Sequence, residues 1–249
     1  MWITFDGIMN VRDLGGIPAA DGRRVRPGRL LRGTGLFHAS DRDVDRLQNE
    51  FRLRRIVDLR DAKECERRPD RAVPGAEYHS IPALPELPAL PHESPELRSG
   101  PPDFAALFAR VYDRMAALDV TREAYREFFR VLLDCRDGAV YFHCTQGKDR
   151  TGIGALLALT ALGADMKDAQ ADYFLSNEGL REAMEHPESP GSEHWPRETK
   201  EQLFFVSPRN LNIYLGRLTA DWGGIDAYLR DGIGLTDADL ALLRENYLE

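Results

Sequence analysis

The chain has 249 residues, is 43% hydrophobic and carries a formal net charge of −8 at pH 7, so it can bury a large core as one domain, although length alone also permits two. The acidic balance disfavours nucleic acid as a partner, and no run of 18 apolar residues reads as a membrane span. MWITFDGIMN lacks the basic start and sustained apolar core of a signal peptide, so a cytoplasmic protein is expected, with secretion by a route lacking a cleaved signal left open.

Taken in chain order, Val25 to Leu31 read as an early strand after the Ala20-Asp21-Gly22 turn. Ser40 is an N-cap for a helix running to about Glu50. Leu53 to Leu59 form the next strand and Glu77 to Ile81 another. The proline-rich segment from Pro82 to Pro102 excludes a central strand or helix interior. It leads into Asp103–Leu118, where Phe104, Leu107, Phe108, Val111, Met115 and Leu118 follow helical spacing. A second amphipathic helix spans Thr121 to Asp134. Ala139 to Phe142 make a short apolar strand after the Asp137-Gly138 turn, and Thr151 to Leu162 read as a largely buried helix ending at Gly163. Further helices are expected at Lys167–Leu175, Pro208–Leu218 with Ser207 as cap, Ile225–Arg230 and Asp237–Asn246. Strands alternating with helices imply an α/β fold: a mainly parallel central sheet flanked by helices, with an inserted helical and proline-rich segment at about 82–118. That insertion is either a lid over the site or a side wall.

Three cysteines without C-x-x-C spacing, and six histidines without ligand spacing, argue against a disulfide framework and against a metal site. Two of the cysteines precede an arginine by six positions. Cys65, before Arg71, stands among charges of both signs and follows no apolar strand, which reads as a solvated helix end. Cys144, before Arg150, sits between the apolar strand and the buried helix. There the amides of Thr145, Gln146, Gly147, Lys148, Asp149 and Arg150 can turn inward as an anion-binding concavity at the helix N-terminus, and Gly147 permits the backbone angle this needs. Such surroundings favour the thiolate, the nucleophilic form of cysteine. Arg150 supplies a planar fork for two phosphoryl oxygens. A Walker loop fails here because Phe142 replaces its first glycine and Asp149 its hydroxyl. A dinucleotide fingerprint fails because Gly152 and Gly154 lack a third glycine and lie inside the helix, where they let it pack closely on the sheet.

HCTQGKDRTG at 143–152 resembles the HCxxGxxRTG signature of the cysteine-dependent protein tyrosine phosphatases. Its GKDRTG form is similar to bacterial tyrosine and lipid phosphatases of the secreted mycobacterial and listerial type. NVRDLGG at 10–16, VDLR at 57–60 with Glu64, and DYFLSN at 172–177 resemble that subfamily's other segments, in the expected order. A rhodanese-like sulfur transferase is the weaker resemblance, since it does not extend to GKDRTG.

The resemblance implies a tyrosine phosphatase-like fold and a phosphate monoester hydrolase working through a cysteinyl-phosphate on Cys144, without metal or cofactor. Phosphorylated protein carrying phosphotyrosine is the first substrate class, phosphoinositide or dual specificity the second, and inorganic phosphate the product. A catalytically silent phosphate-binding module is the alternative of another kind. An acid must protonate the departing oxygen. Asp149, inside the loop, is preferred; Asp58, at the carboxyl end of its strand, is kept as a candidate, with a structural acceptor or half of a charge pair near Arg60 as its other reading. Thr151 would donate a hydrogen bond to the thiolate or merely cap the helix, and His143 would orient the loop. Lys148 would project a cation beside the phosphate. Arg60 and Glu64, four residues apart, would form a helix-type pair. Arg12 and Asp13 would brace the loop by resemblance alone.

Overall fold

The computed structural model describes residues 1–84, 103–187 and 194–249. Five strands form one sheet: β1 (Arg12–Asp13), β2 (Leu30–Gly33), β3 (Leu53–Asp58), β4 (Glu77–Ser80) and β5 (Ala139–His143), in the order β1-β2-β5-β3-β4. Only β1 is antiparallel to its neighbour; β2, β5, β3 and β4 run parallel. The expected strand at Val25 to Leu31 is corrected: β2 begins at Leu30, because Pro27 cannot donate to a ladder and Gly28 turns the chain at φ +73°.

The helices are α1 (Asp41–Asp45), α2 (Ala62–Arg67), α3 (Phe104–Ala117), α4 (Asp119–Asp134), α5 (Arg150–Leu162), α6 (Met166–Gly179), α7 (Arg181–Glu185), α8 (Arg197–Phe204), α9 (Pro208–Trp222), α10 (Ile225–Ala227) and α11 (Asp237–Tyr247). Ser40 caps α1 through a reciprocal pair of bonds with Asp43, and the helix widens into a π turn over Arg46–Glu50. Sequence periodicity missed α2, α7 and α8, which are too short and polar to show it.

The strand β5 lies at the centre and is buried along its whole length. Its side chains alternate between two cores, as a pleated strand requires. Val140 and Phe142 face the larger core with α3, α4, α5, α9 and α11, while Ala139 and Tyr141 face a smaller one with Phe5, Ile8, Leu36 and Leu47. Helix α5 is apolar on nearly every face because it packs into the larger core; Ile153, Leu156, Leu157 and Leu159 are fully buried. Burial of each such side chain contributes roughly 1.5–3 kcal/mol.

Register brings Gly33 of β2 and Asp58 of β3 level with His143, the last residue of β5. The loop after β5 therefore opens at the carboxyl edge of the parallel strands, where α/β sheets bind ligands. Gly152 has a different role from the one expected. A Cβ there would lie 2.9 Å from the Tyr173 ring of α6, so this glycine admits an aromatic ring from a neighbouring helix.

Helix α6 is joined to the sheet by charge. Asp172 accepts from Arg12 Nε at 2.8 Å and is also paired with Arg32, and all three are buried. Burial alone would raise the Asp172 carboxyl, but Arg32 and Arg12 hold it below its ordinary value. Removing the anion leaves two buried guanidinium groups facing each other. Asp172→Asn is expected to cost about 3–5 kcal/mol in urea unfolding, whereas Asp21→Asn, in an exposed pair with Arg23, should change the midpoint little.

Candidate active site

The loop from Cys144 to Asp149 is held from outside by its carbonyl oxygens. Asn10 Nδ2 donates to the carbonyls of Gln146 (3.1 Å) and Gly147 (3.2 Å), Arg32 Nη2 donates to Gly147 (2.8 Å), and Gly35 N donates to Thr145 (3.3 Å). Since successive peptide groups are planar, tying the carbonyls outward turns the amides toward the interior of the loop. Among the described residues, the N–H groups of Gln146 to Asp149 have no protein partner. Gly147 has φ +66°, and a Cβ there would lie 2.1 Å from the Gly33 carbonyl oxygen. Two glycine backbones thus stack where no side chain fits.

Cys144 follows β5 directly and is 3% exposed. Arg150, the first residue of α5, is buried and makes a fork with Glu64 of α2: Nη1 to Oε2 at 2.5 Å and Nη2 to Oε1 at 2.7 Å. Thr145 Oγ1 also donates to Glu64 at 2.5 Å. Glu64 thereby takes the end of the guanidinium and leaves its Nε edge without a protein partner among the described residues. Tyr125 donates to the Arg150 carbonyl at 2.9 Å. Burial pushes against ionisation of Glu64, but the bonds from Arg150 and Thr145 lower its pKa to about 2. The expected Arg60–Glu64 pair is corrected. Arg60 precedes the N-cap Asp61 and is not on the helix, so helical spacing does not apply, and it turns instead to Asp58 and Asp70.

Asp149 is the N-cap of α5 by position, yet its side chain caps nothing. Its Oδ1 accepts from Tyr112 of α3 at 2.7 Å and its Oδ2 lies 3.6 Å from Lys148 Nζ. Lys148 requires correction too. Rather than projecting beside a phosphate, it is buried, donates to the Leu203 carbonyl of α8 at 2.5 Å and lies 4.3 Å over the Phe108 ring. Burial lowers its pKa against the pull of Asp149. Thr151 Oγ1 is buried without a hydrogen bond among the described residues.

Asp58 is fully buried behind the loop with both oxygens engaged. Arg60 donates from Nε (2.9 and 3.0 Å) and Nη2 (2.6 Å), and Tyr78 from its hydroxyl at 2.6 Å. Burial works to raise its pKa, but His143, Arg60 and Tyr78 hold it far below the usual carboxylate range. This is the arrangement of the structural acceptor, the other reading of its sequence position. His143 meets the Cys144 carbonyl at 3.1 Å through Nδ1 and Asp70 at 3.0 Å through Nε2. Burial opposes its protonation, yet the carboxylates of Asp58 and Asp70 raise its pKa. Asp58, Asp70 and His143 offer ligand atoms within 4.8 Å of one another. Arg60 Nη2, 2.6 Å from Asp58 and 3.0 Å from Asp70, already stands where a cation would bind.

Arg12 reaches the loop through Asn10, donating to its Oδ1 at 2.5 Å. Asp13 does not touch the loop; it accepts from Gly15 and Gly28 amides at 2.8 and 2.7 Å and fixes the β1–β2 connection. Cys65, the other cysteine six positions before an arginine, lies in α2, and burial and Asp58 push its thiol up to about 11. It is un-ionised at neutral pH.

Sequence reasoning did not assign Asn10, Arg32, Glu64, Tyr112 or Asp172 to the site. Asn10, Glu64 and Asp172 lie in segments that carry the family resemblance, which was their only signal. Arg32 and Tyr112 carried none.

A buried cysteine among inward-facing amides, at a helix N-terminus and beside a fixed guanidinium, can hold a phosphoryl group against a sulfur atom. A family model described as the tyrosine phosphatase family matches residues 3–249. A putative tyrosine-protein phosphatase of Cupriavidus necator is 36% identical, covering 99% of this chain and 88% of the relative. The triple specificity protein phosphatase PtpB of Mycobacterium tuberculosis is 28% identical over 96% of each chain. A tyrosine-protein phosphatase of Nostoc commune is 24% identical over 91% of this chain and 76% of the relative. The chain belongs to the tyrosine phosphatase family and is a protein-tyrosine phosphatase. Among the described residues, no helix is long and apolar enough to cross a membrane.

The depressed pKa of Glu64 carries a sign for stability. The carboxylate is favoured in the folded state, so its contribution is complete above the ordinary value of 4.5 and is lost as pH falls toward about 2. Glu64→Gln should therefore flatten the acid loss of unfolding free energy between those values, by on the order of 3 kcal/mol. Urea titrations at stepped pH measure this. The same variant should lose kcat on phosphotyrosine, because Arg150 is no longer held.

Proposed function

We propose that the Cys144 thiolate attacks the phosphorus of a phosphotyrosine side chain. The S–P bond forms as the bond from phosphorus to the tyrosine oxygen breaks, and Asp149 gives that oxygen its proton. Water then attacks the cysteinyl-phosphate, loses a proton to Asp149 and releases inorganic phosphate with the thiolate restored. The observation that carries this reading is the outward tethering of the loop carbonyls, which leaves a ring of amides around Cys144 for the phosphoryl oxygens. Arg150, oriented by Glu64, follows those oxygens into the transition state, where fixed charge contributes most. The choice of Asp149 over Asp58 is supported by position: Asp149 lies in the loop itself, whereas Asp58 is fully buried and saturated.

We read residues 1–249 as one phosphatase domain in which 82–118 is the insertion. Most of its proline-rich part, residues 85–102, lies outside the described residues. The described helix α3 buries Phe104, Val111, Tyr112 and Met115 in the core. Dual specificity is the second reading, favoured by the mycobacterial relative's name as a triple specificity protein phosphatase. The burial of Lys148 withdraws one support for a phosphoinositide preference, which then rests on the resemblance alone.

Hydrolysis of an aryl phosphate by the purified protein should fall by several orders of magnitude in Cys144→Ser. Absence of turnover in the unmodified protein between pH 5 and 8 would leave the silent binding module. Asp149→Asn should lose about a hundredfold or more on phenyl phosphate and little on a dinitrophenyl ester, whose leaving group needs no proton. If Asp58→Asn shows that selectivity instead, the acid has been misassigned. A phosphopeptide panel containing phosphotyrosine, phosphoserine and phosphothreonine separates the two specificities.

A further inference from the structure

A hydroxyl has one hydrogen to give, and this orders a chain of three side chains beside the loop. Tyr112 is hydrogen-bonded at once to Asp149 Oδ1 (2.7 Å) and to the Tyr173 hydroxyl (2.6 Å). An ionised carboxylate only accepts, so Tyr112 donates to Asp149 and Tyr173 donates to Tyr112. Both tyrosines are fully buried, and both phenols are raised above their ordinary pKa, first by burial and then by Asp149. They stay protonated and serve as fixed donors.

We propose that Tyr112, ordered by Tyr173, is a positioning residue that pins Asp149 Oδ1 and leaves Oδ2 as the oxygen that carries the proton. The inference rests on Asp149 being the general acid. A protonated carboxyl still presents one carbonyl-type oxygen as an acceptor, so Tyr112 holds Oδ1 in both states. The proton that leaves for the tyrosine oxygen in the first step, and the one taken from water in the second, then pass through the same oxygen in one orientation. Among the described residues, the charged groups near the carboxylate are Lys148, 3.6 Å from Oδ2 but also held by the Leu203 carbonyl and the Phe108 ring, Arg150, held by Glu64, and the Cys144 thiolate of the proposed reaction.

The fold is shaped around this chain of hydroxyls. Gly152 stands where a Cβ would be 2.9 Å from the Tyr173 ring. Asp149, the residue that would ordinarily cap α5 with its side chain, makes no capping bond and turns to Tyr112 instead. Two helices distant in sequence, α3 and α6, each contribute a phenol to a chain of hydroxyls that ends on one carboxylate of the loop.

Tyr112→Phe keeps the ring and removes only the donor. Its kcat should fall about tenfold on phenyl phosphate, the equivalent of about 1.4 kcal/mol, and less than about twofold on a dinitrophenyl ester, with KM unchanged on both. Tyr173→Phe should show the same selectivity at smaller size, which guards against a folding defect peculiar to one site. Asp149→Asn is run beside them. If Asp149→Asn discriminates between leaving groups while Tyr112→Phe slows both esters equally or neither, the positioning role is overturned and the assignment of Asp149 stands. If Asp149→Asn does not discriminate, the acid assignment fails and the proposal fails with it.

Discussion

Carbonyl oxygens pointing away from the loop are the constraint on which this site depends. Asn10 and Arg32 draw the Gln146 and Gly147 carbonyls outward, and planarity then delivers the amides inward. Neither anchor stands alone. Arg12 holds the Asn10 side chain, and Asp172 holds both arginines. Gly147 and Gly33 let the two backbones approach closely enough for these bonds to form. The loop is therefore held by side chains from β1, β2, α6 and the segment before β1, and dipoles fixed in this way are the ones that favour a transition state most.

Two charge networks lie on either side of the β5–loop junction and do different work. In front, Glu64 fixes the Arg150 fork and the Thr145 hydroxyl. Behind, Asp58, Asp70, Arg60 and His143 form a closed buried group that meets the Cys144 carbonyl through the imidazole. Burying so many charges costs desolvation that close pairing only offsets. What the arrangement secures is geometry: each charged side chain near the cysteine has one orientation.

Lys148 and Tyr112 were misread or missed because their partners lie far along the chain, and Arg60 because a helix start intervenes. Lys148 looked like an exposed cation because its neighbours in sequence are polar; the Leu203 carbonyl and the Phe108 ring that bury it are 55 and 40 residues away. Arg60 and Glu64 had helical spacing, but Asp61 starts the helix between them. Tyr112 falls beside the apolar stripe of α3 and was invisible as a polar contact until α3 packed against the loop.

The sequence by itself determined the central strand, the glycine-bearing loop and the buried helix, since these follow from local periodicity, turn chemistry and a ten-residue signature with the cysteine and arginine in place. It also separated Cys65 from Cys144, because no apolar strand or glycine loop flanks the former and its surroundings read as a helix end. Tertiary structure alone decided which groups hold the loop after β5, which carboxylate faces Arg150, and which aspartate is buried and saturated. The bonds from Asn10 and Arg32 to the loop, and from Thr145 and Arg150 to Glu64, join residues from 81 to 137 positions apart, and side-chain hydrogen bonds across such separations leave no period in a sequence.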